Sequence, residues 1–247
     1  MRKAVANNEG LAGGLVLRPA SERGQANFGW LKSSHSFSFG SYRDPKHVQF
    51  RNLRVINDDE VAPGQGFGEH PHQDAEIFSY VLEGALEHKD SMGNGSVVTA
   101  GGVQYMSAGS GVTHSEFNPS TESRVRFLQI WLLPNITGHA PRYDTLQIDE
   151  GEKSGQLKLF LSPDGRDRSI RINADASVYA ATLSGDQSVE FTLAEGRNAW
   201  VQVAGGSLLV NGQSLKQGDG LAITEAGRLV LSNGEDAEIL LFDLPGV

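Results

Sequence analysis

The chain has 247 residues, a formal net charge of −9, 30 glycines and no cysteine. That length holds one large β domain or two small ones, and the acidity argues against non-specific contact with nucleic acid or an anionic membrane surface. A disulfide framework and a thiolate metal site are both excluded, and no window approaches the ~18 apolar residues of a membrane span.

The opening MRKAVANNEGL carries no apolar signal-peptide core, so a cytoplasmic protein is expected. From there the apolar runs are short and broken by Gly, Asn, Asp and Ser, the pattern of many strands joined by turns. Residues 15–20 (LVLRPA) read as a strand ended by Pro19. Residues 35–42 (HSFSFGSY) alternate, with Phe37 and Phe39 on one face, which predicts a half-buried strand. A strand over 53–56 runs into a turn at Asn57-Asp58-Asp59, followed by the Pro63-Gly64 break. Next come GFGEHPH, AEIFSYVLEG and a hairpin over 85–98 turning on Asn94-Gly95. Short strands follow over 101–111 and 112–118, then the apolar RVRFLQIWLL of 124–133, stopped by Pro134. Residues 134–155 are polar and irregular and read as a linker. A second series of strands starts with LKLFLSPDG and continues to AEILLFDL.

The second series echoes the first. VLEGALEH (81–88) is similar to VAGGSLLV (203–210), and setting Gly84 against Gly206 puts Thr192 and Ala194 where the first half has His70 and His72. All seven histidines lie at or before His139. Two similar barrels in tandem are expected, with polar ligands only in the first: a metal-binding domain over 1–134, a linker over 135–155 and a metal-free domain over 156–247.

His70 and His72 stand one residue apart, as do His114 and Glu116. In a strand, side chains at i and i+2 face the same side, so each pair can aim at one point. Three imidazoles and a carboxylate suit a first-row divalent ion, and open positions at such a site suit non-haem iron and oxygen chemistry. Structural zinc more often takes cysteine. The duller explanation is four unrelated surface residues; two strand-spaced pairs in one glycine-rich β setting weigh against it. Glu76 lies four residues after His72 and would share its face in a regular strand, so the carboxylate is Glu116 or Glu76. His88, inside EHKD, reads as a solvated strand end. His35 and His47 read as packing or surface residues, and His139 as part of the linker. Parity makes Phe78, Tyr80 and Met106 candidate lining residues. No G-x-S-x-G elbow or phosphate-binding loop is present, and the Gly-Gly pairs precede no helix.

At Gly64, His70, His72 and Glu76, and again at Gly111, His114 and Asn118, the chain resembles the two motifs of the cupin superfamily. Gly84 comes one position late and the second motif lacks its proline. The segments HPH, YVLEG, EHKDSMGNG, QYMSAGSGVTHSEFNPS and QIWLLP, with HSFSFGSYRDP and NDDEVAPGQGF before them, resemble the pirin family over residues 15 to about 145. HPHQDAEI resembles its bacterial quercetin 2,3-dioxygenase-like branch. The resemblance implies an all-β bicupin of two tandem cupin (double-stranded β-helix) barrels. It implies one mononuclear metal, iron(II) expected with manganese, cobalt, nickel, copper or zinc as alternatives, on His70, His72, His114 and Glu116. The implied activity is ring cleavage of a flavonol such as quercetin with dioxygen, with Glu116 available as a base. The alternative is a non-enzymatic, metal-containing regulatory or redox-sensing protein that binds protein partners. A monomer is expected, because tandem barrels can pair with each other.

Overall fold

The structure, a computed structural model, describes residues 14–246; the absence of a signal-peptide core in residues 1–11 concerns residues outside that range. The glycine-punctuated runs of the first half pair as antiparallel strands in two facing sheets. One has seven strands in the order Arg142–Gln147, Gly102–Ser107, Glu76–Glu83, Val125–Leu132, Leu53–Val61, Leu31–His35, Gly24–Asn27. The other has four, in the order Gly66–His72, Val112–Phe117, Ala85–Asp90, Gly95–Thr99. They close over Val81, Leu86, Val125 and Phe127 at one end and over Ile77, Met106 and Val112 at the other.

The second half forms a nine-stranded sheet that curls on itself. Its two longest strands, Arg197–Val210 and Gly227–Pro245, run alongside each other through three register shifts, bends that let one strand serve both walls of a barrel. Gly206 adopts φ +65° with the carbonyls of Glu235 and Asp236 where a Cβ would sit, so only glycine fits there. The runs RLVLSN and AEILLFDL, which read as two strands, are one strand kinked where Asn233 and Asp236 take positive φ. Leu183, Val201, Leu208, Leu221, Leu231 and Ile239 fill the interior. The fold is therefore the expected all-β pair of cupin-type barrels. No helix among the described residues is long and apolar enough to cross a membrane.

The seven-stranded sheet packs its outer face on the second barrel. Phe37, Phe78, Tyr80, Leu128 and Ile130 meet Phe160, Val178, Trp200, Leu240 and Phe242, with Phe78 edge-on to Phe160 at 5.9 Å and Phe37 against Trp200 at 5.0 Å. Polar side chains in this layer bridge the barrels: Tyr80 donates to Glu238 (2.7 Å), and Arg126 grips Asp58 (2.9 and 3.0 Å) while reaching the Ala204 carbonyl (2.9 Å). The strand Glu76–Glu83 is buried on both faces almost throughout, so its alternation does not reveal which face looks into the barrel. Phe78 and Tyr80 belong to the layer between barrels, while Ile77 and Ser79 point inward; of the three residues expected to line the site, only Met106 lies on the inner side.

Five further segments depart, in whole or in part, from the sequence reading. Residues 36–42 form a corner, not a strand, held by Ser36 N–H to the Ile56 carbonyl (3.0 Å) and Ser38 N–H to that of His47 (2.7 Å). Phe37 thereby enters the inter-barrel layer and Phe39 turns to Trp131 (5.6 Å). The strand Leu53–Val61 runs straight through the expected turn at 57–59. The 85–98 hairpin forms, but Gly93 (φ +91°) bends its tip and the Asp90 carboxylate accepts from the N–H groups of Met92 (2.9 Å) and Asn94 (3.0 Å). Residues 134–155 carry the edge strand Arg142–Gln147 and the short helix Glu150–Lys153. Leu15–Arg18 pairs with Gly220–Ile223 and so extends the second barrel's sheet, not the first's.

Phe160 is fully buried in the shared layer. Phe160→Ala should cost about 3–5 kcal/mol, and the barrels should unfold in one denaturant transition whose midpoint falls while its slope is kept. Two resolved transitions in the unmodified chain would show that the layer does not couple the barrels.

Candidate metal centre

His70 and His72 come from the strand Gly66–His72, and His114 and Glu116 from its neighbour Val112–Phe117. His114 stands directly opposite His70 in the ladder. The ring centroids are 4.5 Å apart for His70–His114, 4.8 Å for His70–His72 and 4.9 Å for His72–His114. One ring nitrogen from each lies within 4.8 Å of the other two, the one such cluster among the described residues. Beyond His114 the register slips, so that Glu116 faces Phe67; a bulge of this kind re-aims a side chain.

The hydrogen bonds say which nitrogens are free. His70 Nδ1–H donates to the Gly68 carbonyl (2.7 Å), which leaves a lone pair on Nε2. His88 Nε2–H donates to Asp90 Oδ2 (3.1 Å), so its Nδ1 is an acceptor, and that atom meets His114 Nδ1 at 3.4 Å. His114 is thereby the Nδ1–H tautomer. Its Nε2 carries a lone pair, is buried and has no hydrogen-bond partner. A buried, unpaired imidazole nitrogen beside two more imidazoles fits a cation-binding donor set, and the Asp90–His88 pair is the kind of outer partner that orients a ligating ring.

His88 is therefore not a solvated strand end. It is 1% exposed and stacks on Tyr143 at 4.2 Å and 11°. Its position two residues after the buried Leu86 was the available signal; the charged neighbours Glu87, Lys89 and Asp90 masked it. Tyr143 comes from the edge strand in the segment that reads as a linker.

Glu116 is 2% exposed. Its Oε1 accepts from Ser79 Oγ (3.0 Å) and Gln104 Nε2 (2.5 Å), and Oε2 from Gln129 Nε2 (2.7 Å). It lies outside the three-imidazole cluster but shares with His70 and His72 a cavity of about 220 Å³, whose other walls include Phe39, Phe67, Trp131, Asn57 and Asp59. Glu76 looks elsewhere. It accepts from Tyr105 Oη, Ser107 Oγ (2.6 Å) and the backbone N–H of Asn173 (2.8 Å), with His139 Nε2 at 3.5 Å. The chain reverses at 73–75, where Asp74 takes φ +49°, so parity is not carried over from His72.

Burial, reinforced by the neighbouring imidazoles, holds His72 down to about 4 and His114 down to about 3. Burial also pushes the Asp59 carboxyl up to about 7.

The chain is similar to known proteins over nearly its whole length. The family model Pirin matches residues 16–132, and the model for the quercetinase C-terminal cupin domain matches residues 159–244. The chain is 48% identical to quercetin 2,3-dioxygenase of Escherichia coli strain K12, over 94% of this chain and 100% of that protein. It is 40% identical to a pirin-like protein of Caulobacter vibrioides, over 92% and 97%. It superposes on the crystal structure of bacterial pirin YhhW from Escherichia coli in complex with nickel(II) with a TM-score of 0.90, 46% identity, and coverage of 94% and 100%.

Two measurements follow from the site. His72 and His114 bind protons near 6.5 in the unfolded chain but only near 4 and 3 when folded. The unfolded state then holds more protons as pH falls below about 6.5, so the metal-free protein should lose stability toward pH 4; the denaturation midpoint of a His72→Asn, His114→Asn double variant should depend less on pH over that window. Separately, His88→Phe keeps a ring on Tyr143 but removes the acceptor for His114 Nδ1. Chelator competition should show nickel(II) affinity falling about 10- to 100-fold with the fold intact; an unchanged affinity would refute the relay.

Proposed function

This chain belongs to the pirin family of the cupin superfamily, and on that premise we propose that it is a metal-dependent dioxygenase of the quercetin 2,3-dioxygenase type. One divalent transition ion, assigned as iron(II), is held by His70, His72, His114 and Glu116. The observation that carries this reading is the convergence of three imidazoles, with His114 Nε2 buried and unpartnered among them. The relatives named quercetin 2,3-dioxygenase and the nickel(II) complex of a 46%-identical pirin support it. Three nitrogens and one oxygen also accept manganese, cobalt, nickel, copper or zinc, which bind by availability as much as by affinity. When bound, such an ion supplies Lewis acidity and open coordination positions for a substrate oxygen and for dioxygen.

The chain's own residues then bind, orient and move protons. Phe39, Phe67 and Trp131 offer a flat aromatic substrate apolar walls within reach of the histidines. The cavity, about 220 Å³, is smaller than the roughly 300–1,000 Å³ that encloses a drug-sized ligand. A three-ring flavonol therefore buries one end and leaves the other toward the groove beside His72 formed by Pro71, Gln73, Ser91 and Thr113. Glu116, fixed by Ser79, Gln104 and Gln129, takes the proton released by the substrate hydroxyl on a carboxylate oxygen as general base.

Metal-free protein loaded in turn with Fe(II), Mn(II), Co(II), Ni(II) and Cu(II) should hold one ion per chain by elemental analysis and consume quercetin with matching oxygen uptake. His114→Ala should lose most of the metal and all turnover. Full metal retention by that variant removes the assigned site. Retention by the unmodified chain with no quercetin consumed under any ion removes the dioxygenase and leaves a metal-containing regulator that acts on protein partners.

A further inference from the structure

The wall of the cavity opposite the histidines is unusual for the inside of a barrel. Asn57 and Asp59 sit mid-strand on Leu53–Val61, only 2% and 3% exposed, where the sequence pattern reads a turn. Both line the cavity shared by His70, His72 and Glu116. In the ladder Asn57 lies opposite Gln129 and Asp59 opposite Phe127, which puts them at the end away from Trp131 and His72.

A carboxyl group buried this deeply is costly unless something meets it, and Asp59 Oδ1 is buried with no hydrogen-bond partner. Ser33 on the neighbouring strand hydrogen-bonds to the Asp59 carboxyl without meeting Oδ1, and the other nearby polar groups are committed elsewhere. Gln129 serves Glu116 and Ser79. Asn57 Oδ1 accepts from His35 Nδ1 (2.7 Å), which leaves the amide N–H groups of Asn57 available. The nearby cations Arg126 and Arg23, from neighbouring segments, pair with Asp58 on the other face of this strand. A carboxylate oxygen and an amide N–H, two residues apart on one strand face, thus look into the same cavity as the histidines.

We infer that Asp59 and Asn57 form a binding subsite for a hydroxyl group carried at the end of the substrate remote from the metal. The hydroxyl donates to the Asp59 carboxylate and accepts from the Asn57 amide. An unsubstituted ring leaves both protein groups unmet, and an anionic substituent is repelled by Asp59. The substrate class is accordingly an aromatic compound hydroxylated on two separate rings. This rests on the reading above that an aromatic substrate occupies the cavity, and it names what selects that substrate. The burial that pushes the Asp59 carboxyl up to about 7 is the desolvation that an incoming hydroxyl relieves.

The test compares quercetin with 3-hydroxyflavone, which keeps the hydroxyl and carbonyl that reach the metal but has no other ring hydroxyl. Binding to the nickel(II)-loaded full chain is followed by tryptophan-fluorescence quenching. Quercetin should bind at least about tenfold more tightly, as expected when a buried polar group would otherwise go unpaired. Asp59→Leu should bring the two ligands within about threefold, and Asp59→Asn, which retains an acceptor oxygen, should keep part of the preference. Equal affinities in the unmodified chain, or a preference that survives Asp59→Leu, overturns the subsite. The first of these needs no variant and holds even if Asp59→Leu does not fold. Quercetin turnover is scored separately: turnover with equal affinities sinks only the subsite, whereas hydroxyl-selective binding without turnover sinks only the dioxygenase.

Discussion

A ring nitrogen buried without a hydrogen-bond partner costs about 1–3 kcal/mol, and the first barrel keeps one near its centre on His114. The surroundings of the site conform to that constraint. The Gly68 carbonyl takes the Nδ1 proton of His70, and Asp90 orients His88 so that it can take that of His114. Desolvation keeps the rings of His72 and His114 neutral. Glu116 is held by two amides and a hydroxyl. Three imidazoles, with the lone pair of His114 Nε2 buried among them, surround a position that a cation would satisfy.

The second barrel contributes to this arrangement without touching it. The seven-stranded sheet carries Ser79, Gln129 and Asp59 on its inner face and Phe78, Leu128 and Ile130 on its outer face. An outer face that apolar cannot be left to water, and the nine-stranded sheet covers it. What the site receives is stiffness: the strands that hold Glu116 in place are clamped from behind by close-packed aromatic rings. Glu76 adds a polar fastening of the same kind, its carboxylate bonded to side chains of the first barrel and to the backbone of Asn173 in the second half.

The convergence of the three histidines was legible in the sequence because i and i+2 share a face as long as both residues stay in one strand, as His70 and His72 do; Glu116 was not placed by that rule, because the register slips after His114. The tandem architecture was legible from repeated glycine turns. Legibility failed wherever that local rule was interrupted. Glu76 was open as a ligand only because the reversal at Asp74 is invisible in a string of residues. Phe78 and Tyr80 misled because a strand buried on both faces has no alternation to read. Asn57 and Asp59 imitated a turn because polar residues in a cavity wall have the composition of a loop. His88 was hidden by three charged neighbours, and the strand carrying Tyr143 by the polarity of an edge. Most of these misses lie within the site or beside it, where local preference gives way to tertiary demand.

The pairing of Leu15–Arg18 with Gly220–Ile223 spans about 200 residues of chain. On a ribosome adding roughly 5–20 residues per second, the partner of that first strand emerges some tens of seconds after it. The first barrel can assemble in the interval, but Leu15–Arg18 must wait beside it unpaired. Through that interval it presents an open strand edge to neighbouring nascent chains. Its brevity, four residues ending in Arg18 and followed by Pro19, limits what can add to it. The order of synthesis thus bears on this fold as directly as the final packing does: the first of the described strands is among the last to find its place.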